Sequence, residues 1–275
     1  MHFLQIALLA LVQGAAELLP VSSSAHVIVA EKLMGLDATS PEMTFVLVML
    51  HTGTMFAVII YFWSAWRATF FRSRAALGDA ALRVTVATAV TGVLGLALME
   101  VIKHTVGRNQ ADYEIESLFG NTHLIAVALF AAGVLIIVSS RAAVGDGEVT
   151  LKRAAWIGAI QGVCLPFRGF SRSGATISAG MILGVARRRA EEFSFALAVV
   201  LTPPVVAREV LRMLKAHGQA ASASQMFLPG LLGMVLSFVA GLVALHWLSR
   251  WLEQGRWYLF GIYCLVAAAA VWTLG

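Results

Sequence analysis

The sequence predicts an all-α polytopic membrane protein with six transmembrane helices and two re-entrant helical hairpins in an inverted-topology repeat. Of its 275 residues, 59% are hydrophobic and 13% are charged, whereas a soluble domain carries about 25% charged residues. A bilayer removes the need for a polar exterior, so this composition indicates a membrane protein. The apolar residues form segments of about 20 residues, the length that a spanning helix needs.

Six apolar segments are predicted to span the membrane. In chain order they cover residues 43–66, 82–102, 119–139, 191–212, 226–249 and 257–274. Pro203 and Pro204 lie inside the fourth segment. We expect a kink or a break there, because proline cannot donate the helical hydrogen bond.

Two other apolar regions, residues 3–35 and 152–185, are each interrupted by a polar centre, at 13–26 and 161–176. Each region is typical of two short helices that meet at a polar tip. Non-helical backbone is tolerated at membrane depth only inside protein or beside a water-filled cavity. We therefore expect two re-entrant hairpins that line a cavity.

Basic residues concentrate on one side of this topology, as they do in cytoplasmic loops. They are Arg67, Arg72, Arg74, Arg83, Arg141, Lys152, Arg153, Arg187, Arg188, Arg189, Arg250 and Arg256. The opposite side holds Lys32, Lys103, Arg108, Arg212 and Lys215. Both termini are therefore predicted to face outward. The sequence has no stripe of basic and aromatic residues of the kind that would indicate a nucleic-acid partner.

We predict a single membrane domain over 1–275, built from inverted repeats at approximately 1–140 and 150–275. Each half has one hairpin followed by three spans, and an odd number of spans inverts one half relative to the other. The polar tips can then meet near the midplane, where inverted repeats commonly build a site. The halves also share a weak sequence echo of Gln-Gly, a Pro and closely spaced serines.

Polar groups at membrane depth are costly, so both tips are candidate functional sites. The first tip offers Gln13, Glu17, Ser22, Ser23, Ser24 and His26, and the second offers Arg168, Ser171, Arg172, Ser173 and Thr176. This set suits a phosphate group. A guanidinium can clamp phosphate oxygens in a fork, and short helices that start at the serines aim backbone N–H groups at an anion.

Candidate roles in the first tip follow from side-chain chemistry. Ser23 or Ser22 can act as a nucleophile or only bind phosphate, and His26 can act as general base or acid. Glu17 can hold a divalent cation or orient His26. Gln13, one helical turn before Glu17, can bind a metal or water without adding charge.

Histidines and cysteines outside the tips are predicted to be structural. The histidines at span ends and in loops are His2, His104, His123, His217 and His246. Cys164 and Cys264 lie inside apolar stretches, which favours buried thiols over a disulfide. His51, in His51-Thr52-Gly53-Thr54, is an exception that we single out without assigning it a role.

The two tips resemble the signatures of the bacterial undecaprenyl-pyrophosphate phosphatase family, also called the bacitracin-resistance family. Its first motif, Glu/Gln-x-x-x-Glu followed by Pro-Val-Ser-Ser and a His, is matched by Gln13, Glu17, Pro20-Val21-Ser22-Ser23 and His26. Its second motif, Pro-Gly-x-Ser-Arg-Ser-Gly-Ala/Gly-Thr, is matched from Gly169 to Thr176. The resemblance covers nearly the whole chain.

The resemblance implies a hydrolase that converts undecaprenyl pyrophosphate to undecaprenyl phosphate and inorganic phosphate. The product is the carrier lipid of cell-wall (peptidoglycan) assembly. A divalent cation, Mg²⁺ or Ca²⁺, and a bacterial cytoplasmic (inner) membrane, with the site open to the periplasmic face, are implied as well. The expected partners are the polyprenyl pyrophosphate and membrane lipids, without nucleic acid. A homodimer is compatible with the sequence, which does not specify the oligomeric state.

By the same resemblance, the catalytic positions are Glu17, Ser23, His26 and Arg172, and the cation ligands are Glu17 and Gln13. The supporting phosphate-binding positions are Ser22, Ser171, Ser173 and Thr176, and we add Arg168 to them for its charge beside the site. Arg168 departs from the family, which has Pro there, and it can add phosphate affinity, alter the rate or reflect a changed role. Ser24-Ala25 replaces the usual Thr-Gly.

Two alternative functions remain open from the sequence. A polyprenyl-phosphate flippase fits the inverted repeat equally well, but it needs no nucleophile or base such as Ser23 and His26. A second family of membrane lipid phosphatases is marked by Pro-Ser-Gly-His and by an Arg followed by His and Asp. Its first motif is missing, and Ser178 stands where its His would fall.

Overall fold

The computed structural model describes residues 3–36, 41–106, 121–143, 145–216 and 221–273, which form ten α-helices. They are α1 (Phe3–Leu18), α2 (Ser23–Leu33), α3 (Pro41–Thr69), α4 (Arg74–Val106), α5 (Thr122–Ser140), α6 (Leu151–Cys164), α7 (Arg172–Ile182), α8 (Arg187–Ala216), α9 (Ala221–Glu253) and α10 (Tyr258–Thr273). The described residues outside these helices hold one isolated bridge, between Gly147 and Val185. The all-α prediction is confirmed.

Four of the described helices are long and apolar enough to cross a membrane. Their spans are Met43–Thr69, Arg74–Thr105, Thr122–Ser140 and Phe227–Glu253. Helices α1 and α10 are shorter apolar helices. The chain is therefore a multi-pass membrane protein.

Every predicted span coincides with a helix, and the differences lie at the ends and inside α8. Helix α4 begins at Arg74 rather than at residue 82, because the alanines and leucines after Arg74 are strong helix formers. Of the kink or break predicted at Pro203 and Pro204, the break is wrong, since α8 continues through both prolines, and the kink stays a prediction. Long helical stretches on either side offset the two lost hydrogen bonds.

Some sequence predictions concern residues that the structure does not describe. These are the start of the third span at 119–120, the end of the last span at 274, and Arg108, His2 and His217. The side chains of Arg212 and Lys215 also lie outside the described part.

One compact unit contains residues up to Leu19, Ser23–Ser64 and Ala198–Leu248. It therefore combines α1, α2 and most of α3 with the later part of α8 and most of α9. Its apolar core is formed by Leu9, Ala10, Val27, Met43, Val46 and Leu50. Gly14 allows α1 to approach α9, because a Cβ there would lie 2.7 Å from the Cβ of Ala240.

A second compact unit contains Pro20–Ser22, Ala65–Leu197 and Ser249–Gly275. Within it α6 packs on α4 and α7, and α5 packs on α7 and α10. Gly162 allows the close approach of α6 to α4, since a Cβ there would lie 3.0 Å from the carbonyl oxygen of Thr91. This unit holds the second hairpin.

Candidate active site

The first hairpin turns sharply between α1 and α2. Helix α1 ends at Leu18 and α2 begins at Ser23. Ser22, just before α2, has a φ of 67°, a left-handed conformation that costs a residue with a Cβ about 1–3 kcal/mol. Such backbone strain concentrates at functional sites, and here it lies immediately before the predicted nucleophile.

Side chains from three helices lie close to the carboxylate oxygen Oε2 of Glu17. The hydroxyl of Ser23 on α2 donates to this oxygen at 2.6 Å. The amide of Gln13 on α1 donates to it at 3.1 Å. The ring nitrogen Nε2 of His51 on α3 lies 3.7 Å from it. Because Gln13 is buried and the Glu17 side chain is only 17% exposed, these contacts fix the direction of the carboxylate.

This cluster changes the expected partner of Ser23. The sequence suggested His26, which lies one turn later on α2, whereas the single hydroxyl proton of Ser23 is donated to Glu17. The carboxylate is thus the group in position to remove that proton. His26 is half-buried on the same helix, and its catalytic role stays a prediction.

The sequence singled out His51 without identifying its partner. Its ring nitrogen Nδ1 lies 2.8 Å from the carbonyl oxygen of Leu47, one turn earlier on α3. A carbonyl only accepts hydrogen bonds, so Nδ1 carries a proton and Nε2 is the nitrogen directed toward Glu17. The contact depends on how α1 packs on α3, which no local sequence signal reveals.

The second hairpin presents the N-terminus of α7. Gly169, with a φ of 103°, provides the left-handed turn before it. Ser171 caps the helix by accepting a hydrogen bond from the backbone N–H of Gly174 at 3.2 Å. Arg172 is therefore the first helical residue. The helix dipole and the first N–H groups favour an anion at this end.

The other hydroxyls of this hairpin face protein groups. Fully buried Thr176 bonds to the carbonyl oxygen of Arg172 at 2.8 Å and to the hydroxyl of Ser194 at 2.6 Å. Ser173 is buried, with its hydroxyl 3.5 Å from that of Ser171. Sequence reasoning missed Ser194, whose contact depends on the packing of α8 on α7.

Sequence reasoning also missed a hydrogen-bonded group that holds α7 against α5. The hydroxyl of Ser139 on α5 donates to Ser178 on α7 at 2.9 Å, and the indole N–H of Trp257 donates to Ser139 at 3.0 Å. All three side chains are fully buried. They fix the position of the helix that carries Arg172.

Arg168 differs from the other tip residues because its side chain is exposed. It lies in the turn between α6 and α7. Ser22 is buried and Ser24 is half-buried. The predicted phosphate-binding roles of the tip residues, and the prediction that the two tips meet, stay predictions.

Comparison with known proteins gives a consistent result over the full chain. A family model described as bacitracin resistance protein BacA matches residues 6–270. The chain is 58% identical to undecaprenyl-diphosphatase 2 of Acinetobacter baylyi, over 100% of this chain and 98% of that protein. It is 35% identical to undecaprenyl-diphosphatase 2 of Burkholderia orbicola, over 97% and 94%. It is 30% identical to undecaprenyl-diphosphatase of Korarchaeum cryptofilum, over 100% of both proteins.

Proposed function

This chain belongs to the bacitracin resistance protein BacA family, and we propose that it hydrolyses undecaprenyl diphosphate to undecaprenyl phosphate and inorganic phosphate. The proposal is supported by full-length relatives that are named for this activity. The observation that carries it is the 2.6 Å hydrogen bond from Ser23 to Glu17. A hydroxyl held by a carboxylate is an activated nucleophile, which a transporter does not need.

In the proposed reaction, Ser23 Oγ attacks the terminal phosphorus while Glu17 removes the hydroxyl proton. The bond from that phosphorus to the bridging oxygen breaks, and undecaprenyl phosphate leaves. Water then hydrolyses the phosphoserine, with His26 as the candidate base, and inorganic phosphate is released. Direct attack by a water that His26 activates is the alternative route.

We assign binding of the diphosphate to the second hairpin. Arg172 can contact two phosphate oxygens at once, and this charge-assisted fork stabilises negative charge that develops during transfer. The backbone N–H groups at the N-terminus of α7 provide further hydrogen-bond donors for the phosphate. Arg168, being exposed, contributes a weaker, solvent-screened charge.

The donor set at Glu17 suits a divalent cation that keeps open positions. The described residues contain no group of three or more His, Cys, Asp or Glu placed to hold a metal ion. Mg²⁺ is commonly held by one or two carboxylates, waters and substrate phosphates rather than by a full protein cage. Glu17 and the amide oxygen of Gln13 would hold such an ion, which when bound would neutralise charge on the diphosphate.

The proposal places the protein in a bacterial cytoplasmic membrane, with six spans, two re-entrant hairpins and a site open to the periplasmic face. The internal repeat is supported by matching positions in the two hairpins. Gly14 of α1 lies against α9, and Gly162 of α6 lies against α4. Each compact unit thus joins a hairpin of one half to a helix of the other, as an interleaved duplication of 1–140 and 150–275 would require.

Phosphate release from undecaprenyl diphosphate by purified protein in detergent, with and without EDTA, tests the function. We expect Ser23→Ala to lower kcat by at least about 10³-fold. Ser140→Ala is the matched control, because within the described part of the chain its hydroxyl bonds only to the carbonyl of Ile137 in its own helix. Full turnover by Ser23→Ala would exclude the proposed nucleophile. Lipid translocation without phosphate release by the unchanged protein would favour the flippase.

A further inference from the structure

We infer that His51 is a ligand, through Nε2, of the divalent cation at Glu17, and that this nitrogen makes the site prefer first-row transition-metal ions over Mg²⁺ and Ca²⁺. The inference rests on the proposed cation-dependent hydrolysis and adds a third protein ligand to it. It concerns only the first hairpin and α3, which belong to one compact unit.

The spacing between His51 and Glu17 fits two ligands of one ion. Nitrogen and oxygen ligands bind Zn²⁺ at about 2.0–2.2 Å, so two of them lie about 2.8–3.1 Å apart in octahedral and about 3.3–3.6 Å apart in tetrahedral geometry. Nε2 of His51 and Oε2 of Glu17 are 3.7 Å apart. This separation is too long for a direct hydrogen bond. A movement of Nε2 by a few tenths of an ångström, through rotation of the imidazole, would bring both atoms within the distance of two ligands of one ion.

The opposite ring nitrogen of His51 is arranged as in known metal sites. Histidine ligands nearly always donate their other N–H to a carbonyl or carboxylate, which fixes the tautomer. Here Nδ1 bonds to the carbonyl oxygen of Leu47 at 2.8 Å. In the neutral ring, the lone pair therefore lies on Nε2, the atom directed toward Glu17. Two lone pairs that face each other across this gap repel unless a cation or a proton lies between them.

Another histidine–glutamate pair in the chain shows the contrasting geometry. His104 and Glu100 lie one turn apart on α4, both exposed, and His104 Nε2 is 2.9 Å from Glu100 Oε1. That is hydrogen-bond distance, with no room for an ion between the atoms. The pair therefore provides a matched control for removal of an imidazole beside a carboxylate.

The ligand set of Glu17, His51 and Gln13 predicts which ions bind well. Gln13 would present its amide oxygen to the ion only after its amide turns by half a rotation and gives up the hydrogen bond to Glu17. Imidazole nitrogen favours transition metals, whereas Mg²⁺ and Ca²⁺ prefer oxygen alone. Three protein ligands leave positions for water and for substrate phosphate. The His51 side chain is 39% exposed, so these positions can be reached from outside the cluster.

Titration of the full-length protein with Co²⁺, followed by its visible absorption and by competition with Ca²⁺, tests the inference. We expect His51→Ala to weaken Co²⁺ binding at least about tenfold and to change the absorption bands, with Ca²⁺ affinity altered by no more than about twofold. His51→Gln, which keeps side-chain bulk and supplies an oxygen, should lose the preference for Co²⁺ over Ca²⁺. His104→Ala should behave as the unchanged protein.

An unchanged Co²⁺ affinity and spectrum in His51→Ala, an equal loss in His104→Ala, or no Co²⁺ binding by the unchanged protein would each overturn the assignment. Phosphate release is measured separately on the same preparations. If Co²⁺ binding depends on His51 while no ion supports phosphate release, the proposed function fails and the metal assignment stands. If phosphate is released but His51 does not affect Co²⁺ binding, the metal assignment alone fails.

Discussion

In the first hairpin, polar side chains bond to one another, because Gln13 and Ser23 both donate to the Glu17 carboxylate. In the second hairpin, polar side chains bond mostly to backbone groups of α7 and to a neighbouring helix. Ser171 caps α7, and Thr176 bonds to a backbone carbonyl and to Ser194. A similar pattern of glutamine, proline and serines thus surrounds a carboxylate in one hairpin and caps a helix N-terminus in the other.

The glutamines of the two Gln-Gly pairs have different partners. Gln13 is followed one turn later by Glu17 and bonds to it. Gln161 is followed one turn later by Leu165, and its amide donates instead to Thr91 at 3.1 Å. The second hairpin therefore lacks the carboxylate that would make its serines nucleophilic. The guanidinium of Arg172 suits binding of a phosphate rather than proton removal.

The largest expected effect comes from removing the base of the first hairpin. Glu17→Gln keeps the shape but cannot accept a proton, so kcat should fall by about 10²–10⁴-fold. Glu100→Gln, an exposed glutamate on α4, is the control and should retain full activity. The measurement is steady-state phosphate release. Near-normal kcat in Glu17→Gln would remove the chemical role from this hairpin.

A somewhat smaller effect is expected from the second hairpin. Arg172→Ala should lower kcat/KM by about 10²–10³-fold, as loss of a single transition-state donor does. Arg172→Lys keeps the charge without the fork and should recover only part of this loss. Arg141→Ala, an exposed arginine after α5, serves as the control. Equal activity of Arg172→Lys and the unchanged protein would contradict the bidentate contact.

The supporting hydroxyls of α7 should matter for stability more than for turnover. Thr176→Val removes a buried hydrogen bond to Ser194, which should cost about 1 kcal/mol and lower the melting temperature. Thr105→Val is the control, since Thr105 is exposed and bonds to its own helix. Thermal unfolding in detergent measures the change. An unchanged melting temperature with a collapse of kcat would instead place Thr176 on the substrate.

The smallest effect is expected at Arg168. Because this side chain is exposed, its charge is screened, and Arg168→Ala should change KM for undecaprenyl diphosphate by about threefold or less. Arg168→Pro restores the residue that the family resemblance expects and separates the backbone effect from the charge. A tenfold rise in KM in both variants would show that Arg168 binds the diphosphate directly.

Much of the fold follows from hydrophobicity, but its contacts do not. The apolar segments predicted α3, α4, α5 and α9 because lipid selects length and composition. No break occurs at Pro203, because the surrounding helix outweighs two missing donors, and the alternative of a kink stays a prediction. The residues of the first tip were identified from residue type, yet the partner of Ser23 is Glu17 rather than His26. That choice depends on how the turn at Ser22 folds.

The tertiary contacts of the tip residues could not be predicted from the sequence for a related reason. His51 and Ser194 meet tip residues only through the packing of α3 on α1 and of α8 on α7. Such contacts have no fixed sequence spacing. A histidine or serine on an apolar helix has the same local sequence pattern whether or not its side chain contacts the site.

In the proposed mechanism, Ser23, activated by Glu17, attacks the diphosphate. Acid quenching of a reaction with undecaprenyl diphosphate labelled at its terminal phosphorus tests it most directly. We expect label on the protein as phosphoserine at position 23 in the unchanged protein and in Ser140→Ala, and no label in Ser23→Ala. Full phosphate release by Ser23→Ala, with no labelled protein in any variant, would contradict it.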